Sequence, residues 1–187
     1  VMQQHDAKPY FACFNDHRIF MRKAQFHFGW DWAPNCPGTG IWESVQLETY
    51  DRVCLDGHNI KTHCDGAVSF FIFLNDAAKQ TGSDGLELKL TVHAPDGTQV
   101  ADEQWASTGV KNFRNLFIKN PQLWWPNGMG AQPLYTYEIS LLKDGVVVER
   151  KRGRFGIREV ELEEKPLRAD KMGFAFVVNG EQCFCKG

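Results

Sequence analysis

The feature that most constrains this chain is a period of two. Along most of its length apolar and polar residues alternate, which puts every second side chain on one face of an extended strand. No long stretch shows the three- and four-residue apolar spacing of a helix. The alternating segments are RKAQFHF (22–28), IWESVQLETY (41–50), AVSFFIFLND (67–76), LELKLTVHA (86–94), FRNLFIKN (113–120), PLYTYEISLL (133–142) and VVVERKRGRFG (146–156). Between and beyond them lie Asp84-Gly85, Pro95-Asp96-Gly97, Lys143-Asp144-Gly145 and Asn179-Gly180, residue types that supply positive φ in tight hairpins. One short helical turn is expected, just before the stretch KQTGSD. The pattern predicts an all-β chain.

About seven short strands between residues 51 and 154 predict an immunoglobulin-like β-sandwich. Phe71, Phe73, Phe113, Phe117, Tyr135 and Tyr137 are expected to fill the space between its sheets. With 187 residues, 43 % of them hydrophobic, the chain can bury a real core. Residues 1–50 are denser in Trp, His and Cys, and residues 155–187 contain one hairpin, FAFVVNGEQCFCKG.

Several function classes fall away. The 21 basic and 23 acidic residues are evenly spread and leave a net charge of −2, so no basic stripe offers itself to nucleic acid. No apolar run approaches the ~20 residues that a membrane span requires. The start, VMQQHDAKPY, lacks the layout of a signal peptide and reads as the interior of a longer polypeptide, which leaves the compartment open between cytoplasm, periplasm and exterior. Cys13, Cys36, Cys54, Cys64, Cys183 and Cys185 are irregularly spaced without a CxxC pair and read as isolated thiols, the last two side by side on one strand face. His58, His63 and Cys64 are the nearest approach to a metal cluster, but DGHNIKTHCDG reads as a surface loop. Gly38-Thr39-Gly40 lacks the lysine of a phosphate loop, and no nucleophile elbow or zinc-protease motif occurs. Glu161, Glu163 and Glu164 fit solvated strand faces. No metal or cofactor site is expected.

The stretch FHFGWDWAPNCPGTGIW (26–42) holds one acid, Asp31, between Trp30 and Trp32. In an extended strand both indoles would share a face in the core and the carboxylate would face water. Against this, Ala33-Pro34-Asn35-Cys36-Pro37-Gly38 breaks the strand, and Pro34 cannot donate to a ladder. Asp31 then sits at a strand-to-loop corner, where binding groups collect. A sugar presents C–H faces that stack on an indole and vicinal hydroxyls that a carboxylate accepts. The trio suits carbohydrate.

The residues also carry a family resemblance. RKAQFHFGWDWAPNCPGTGIWESVQLE (22–48) resembles the end of the sugar-binding β-sandwich domain of β-mannosidases in glycoside hydrolase family 2. PQLWWPNGMGAQPLYTYEISLL (121–142) resembles the signature of their immunoglobulin-like domain. RFGIREVELE (154–163) resembles the crossing into their catalytic domain, and FVVNGEQCFCKG (176–187) the hairpin that opens it. The resemblance implies three parts: residues 1–50 close a jelly-roll-type sugar-binding domain, 51–154 form the immunoglobulin-like domain, and 155–187 link to a (β/α)₈ barrel beyond Gly187. The family's two catalytic glutamates lie on that barrel. The chain itself is therefore expected to hold no catalytic residue and to be inactive alone, as part of a retaining exo-β-mannosidase whose partners are its own barrel and a mannoside.

The same resemblance implies that Asp31 accepts hydrogen bonds from a mannosyl unit, with Trp30 or Trp32 as wall. Ala33 and Asn35 depart from the glycine and arginine frequent in the family. Trp124 and Trp125 are expected to pack the immunoglobulin-like domain, and Arg158 and Glu159 to pair or hydrogen-bond at the linker. Competing readings are a β-galactosidase or β-glucuronidase of the same family, a free-standing carbohydrate-binding module, or a purely structural pair of sandwiches if the two indoles are buried. Strand edges of the incomplete first domain are expected to be covered by the second domain or paired in a dimer.

Overall fold

The computed structural model describes residues 19–168 and 171–185, apart from positions 37, 39, 51 and 82–84; the opening VMQQHDAKPY, Cys13 and Asp84 lie outside these. Among the described residues the strands are β1 (Phe28–Trp30), β2 (Ala33–Asn35), β3 (Leu55–Thr62), β4 (Ala67–Leu74), β5 (Leu86–His93) and β6 (Gln99–Ala106), followed by β7 (Lys111–Phe117), β8 (Tyr135–Lys143), β9 (Val146–Phe155), β10 (Val160–Arg168), β11 (Lys171–Val178) and β12 (Glu181–Cys183). One short helix, α1 (Ala77–Thr81), precedes the KQTGSD stretch's last residues. The chain divides into two compact units, Val1–Thr49 and Tyr50–Gly187.

In the second unit, antiparallel sheets β3-β4-β7 and β6-β5-β8-β9 share one core, giving the all-β, immunoglobulin-like sandwich. Val68, Phe70, Ile72 and Leu74 of β4 are at most 1 % exposed. They face Leu86, Leu88, Leu90 and Val92 of β5 and Tyr135, Tyr137, Ile139 and Leu141 of β8 in that core. Each such aliphatic side chain contributes about 2 kcal/mol by leaving water. Asn112 is also buried, and its amide oxygen accepts from the Thr108 backbone at 2.8 Å while its nitrogen donates to the Gly109 carbonyl at 2.8 Å, closing the turn between β6 and β7. A third antiparallel sheet, β10-β11-β12, follows.

The turns follow their chemistry. Asp144 and Gly145 (φ 51° and 78°) join β8 to β9, and Asn179 and Gly180 (51° and 84°) join β11 to β12, two consecutive left-handed residues in each case.

Five expectations are corrected. Residues 22–28 are not a strand: Gln25–His27 form a 3₁₀ turn and only Phe28 enters β1. Residues 41–50 carry no strand, and Ile41, Trp42, Val45 and Leu47 are 78–89 % exposed; their alternating pattern meets no partner strand among the described residues. DGHNIKTHCDG is not a loop, because Leu55–Thr62 pairs along β4 as an edge strand. Phe71, Phe73, Phe113 and Phe117 lie on the outer face of β4 and β7, with Phe113 49 % and Phe117 69 % exposed; Tyr135 and Tyr137 are buried as expected. Ala33-Pro34-Asn35 does not break the strand but forms β2, since a two-stranded ribbon leaves each strand a free edge where a missing N–H costs nothing. Strands β6 and β10 were not anticipated.

Candidate functional site

The three residues singled out in the sequence meet at the tip of a small hairpin. β1 and β2 pair through Phe28 with Asn35 and Trp30 with Ala33, which leaves Asp31 and Trp32 as the two-residue turn. The ladder runs one step further, with the Cys36 N–H donating to the His27 carbonyl at 2.7 Å. Below it the Lys23 ammonium donates to the carbonyls of Cys36 at 2.6 Å and Gly38 at 2.5 Å, anchoring the outgoing chain. Gly29 adopts φ 109°, a conformation that a side chain would strain.

Because Trp32 lies in the turn, it does not share a strand face with Trp30, and neither indole enters a core. Trp30 is 43 % and Trp32 67 % exposed, while Phe28 alone of the hairpin is buried. Trp32 lies against Phe26 with centroids 5.3 Å apart. Asp31 is exposed between them. A cavity of about 740 Å³ in this unit is lined by Lys23, His27, Ile41 and Trp42, among others, and by none of the three tip residues. The tip is therefore a projecting group of two apolar plates and one carboxylate, suited to form one side of a pocket.

Trp124 and Trp125 have the opposite surroundings. The Trp124 N–H donates to the Ile157 carbonyl at 2.9 Å, beside a bridge between Leu123 and Ile157. A Cβ on Gly156 would fall 2.7 Å from the Trp124 side chain, and one on Gly130 2.8 Å from that of Trp125, so each indole fills the space of an absent methyl group. The Arg158 guanidinium sits 4.4 Å from the Trp124 ring centroid. These indoles pack, as expected.

Glu159 also takes the hydrogen-bonding role expected of it. Its carboxylate accepts from the His63 Nδ1 at 2.7 Å and the Cys64 N–H at 3.3 Å. The His63 hydrogen bond, followed by those of Cys64, holds the Glu159 carboxyl below its ordinary pKa range. Burial, reinforced by Glu159, pushes the Cys64 thiol up. His58 meets the Tyr137 hydroxyl at 2.5 Å, and burial with Lys151 nearby lowers its pKa. Among the described residues no group of three His, Cys, Asp or Glu could hold a metal, and Cys36, Cys54, Cys64, Cys183 and Cys185 are not in disulfides. A cleft of about 780 Å³ lined by His58, Lys61, His63, Arg154, Arg158 and Glu159, among others, is thus walled largely by groups already engaged with their neighbours.

Sequence reasoning missed the importance of Asn179. Its position in an Asn-Gly pair signalled a turn, but nothing in the sequence signalled the four hydrogen bonds to Cys64, Trp124 and Glu159 that its backbone and side chain make.

Comparison with known proteins identifies the family. The family described as Glycosyl hydrolases family 2 matches residues 56–158, and a Glycosyl hydrolase 2 galactose-binding domain-like family matches residues 1–43. The chain belongs to glycosyl hydrolase family 2. It is 33 % identical over 193 aligned residues to β-mannosidase B of Aspergillus fumigatus, across all of this chain and 22 % of that protein. Among solved structures it resembles a β-D-mannosidase from Dictyoglomus thermophilum, with a TM-score of 0.78 and 30 % identity over 97 % of this chain and 23 % of the other. Likeness to β-glucuronidase 3 of Bacteroides uniformis is weaker, with a TM-score of 0.52 and 26 % identity over 73 % of this chain and 15 % of the other. The family 2 chain thus spans about a fifth of the length of these relatives.

Proposed function

We propose that this chain is the non-catalytic middle of a retaining exo-β-mannosidase that removes terminal β-D-mannosyl residues from mannosides or oligosaccharides. The observation that carries the reading is the exposed tip of Trp30, Asp31 and Trp32, on a chain whose likeness to a β-mannosidase structure extends over 97 % of its length. The glucuronidase likeness leaves about a quarter of the chain unmatched. Asp31 accepts hydrogen bonds from vicinal hydroxyls of the terminal sugar, and an indole covers its C–H face.

The chemistry belongs to two glutamates outside this chain. One attacks the anomeric carbon as the other protonates the departing glycosidic oxygen; the second then takes a proton from water, which displaces the first. No cofactor enters the reaction. Residues 1–50, 51–154 and 155–187 serve as the end of the sugar-binding domain, the immunoglobulin-like domain and the entry to the catalytic barrel. Val160, Leu162, Phe174 and Phe176 support the last assignment: they share one face of the third sheet and are 41–70 % exposed, an apolar surface of the kind a following domain covers.

The test is to assay the full-length protein on aryl β-mannoside, β-galactoside and β-glucuronide. Mannoside preferred by at least a hundredfold in kcat/KM, about 2.7 kcal/mol, is expected. Preference for either other sugar would assign a different activity. Measurable mannose binding by this chain alone, without hydrolysis by the full-length protein, would make it a binding module.

A further inference from the structure

The geometry points to Asn179 as a positioning residue that fixes the β10-β11-β12 sheet at a set angle on the immunoglobulin-like sandwich. The inference rests on the reading above, in which that sheet leads into the catalytic domain. Asn179 lies in the turn between β11 and β12, where it extends the β10-β11 ladder opposite Glu159 and also reaches two segments of the sandwich side, at Trp124 and Cys64. Its amide nitrogen donates to the Trp124 carbonyl at 2.9 Å. Its amide oxygen accepts from the Glu159 N–H at 3.0 Å and from the Cys64 thiol at 3.3 Å. Its own N–H donates to the Glu159 carbonyl at 3.0 Å.

Each partner is itself held. Glu159 grips the His63-Cys64 turn between β3 and β4 through its carboxylate, as described above. The Thr62 hydroxyl donates to the Arg158 carbonyl at 2.7 Å and accepts from the Arg158 N–H at 3.1 Å. Trp124 is clamped between Gly156 and Arg158. A primary amide carries its donor and its acceptor on separate atoms, which suits a carbonyl on one side and an N–H on the other. Asparagine also tolerates the left-handed backbone found here, φ 51°. Among the described residues of the third sheet only Val178, next to Asn179, is buried, so this end of the sheet is where it gains its fixed orientation.

Asn179→Gly tests the role cleanly, because it removes the side chain and keeps the left-handed turn. Asn179→Asp keeps the shape but loses the donor to Trp124 and sets a carboxylate beside Glu159. In the full-length protein, spin labels on non-canonical residues at the exposed positions Gln99 and Gln182 report the distance between the sandwich and the third sheet. Both variants are expected to broaden or shift that distance distribution, with Asn179→Gly lowering kcat/KM for an aryl β-mannoside at least about tenfold through misplacement. Cys64→Ser, which retains a donor, is expected to leave the distance distribution as it is. An unchanged distance distribution in both Asn179 variants would overturn the inference, even if their melting temperatures fall. A wild-type protein that cleaves no mannoside would instead defeat the functional reading, while the distance measurement would still decide the role of Asn179.

Discussion

Two pairs of tryptophans show how the same residue serves opposite ends. Trp124 and Trp125 stand against glycines that leave room for them, with a backbone hydrogen bond on each and an arginine over the first. Trp30 and Trp32 close and cap a hairpin turn with 43 % and 67 % of their surface open to solvent. A close neighbour lacking a Cβ marks an indole built into a fold. The acid between Trp30 and Trp32 sits with both indoles open to solvent.

The difference can be broken most forcefully at Trp124. Trp124→Ala is expected to cost roughly 3 kcal/mol of stability, since it empties the space beside Gly156 and strips Arg158 of its ring. Urea titration of the second unit's unfolding measures this, and a loss below 1 kcal/mol would deny the packing role. Gly156→Ala attacks the same contact from the other side and is expected to cost about 2 kcal/mol by overpacking, read as a lower urea midpoint with unchanged slope. Trp32→Ala is the counterpart at the hairpin and is expected to change stability by less than about 1 kcal/mol, despite its contact with Phe26.

Acid should loosen the second unit. Hydrogen bonds from His63 to Glu159 and from Arg152 to Glu138 depress both carboxyl pKa values in the folded protein. Their stabilisation is full well above the unfolded glutamate value of about 4.3 and disappears as pH falls through the lower folded values. The urea midpoint is accordingly expected to drop on acidification below about pH 4.5, and Glu138→Gln to flatten part of that slope.

How much of this the sequence discloses depends on whether a residue's fate is local. β5 and β8 were legible because Leu86, Leu88, Leu90 and Val92 alternate with polar residues, so only one face could turn inward. β4 was legible as a strand but not in orientation: AVSFFIFL is apolar on both faces, and only the partner sheet decides that Phe70 and Ile72, not Phe71 and Phe73, are buried. β3 was read as a loop because DGHNIKT is polar, and an edge strand needs little apolar surface when its ladder to β4 supplies the hydrogen bonds. Residues 41–50 have the pattern without the ladder, and pattern alone makes no strand. Asp31 and its indoles are visible as a motif, but they lie in a turn between two paired strands and not at a strand-to-loop corner. Their two-residue turn was not visible, because Pro34 suggested an end where the ribbon has its second strand. Asn179 was hidden for the same reason as Phe71: its partners at Cys64, Trp124 and Glu159 are distant in sequence.

The contrast between the tryptophan pairs turns finally on the acid beside one of them. Asp31→Ala in the full-length protein, assayed on an aryl β-mannoside with the urea midpoint measured on the same sample, tests it most directly. The expected result is kcat/KM reduced at least tenfold, about 1.4 kcal/mol, with the midpoint unmoved. Unchanged kinetics, or a loss of activity that merely tracks a loss of stability, would contradict the assignment of the hairpin tip to the sugar pocket.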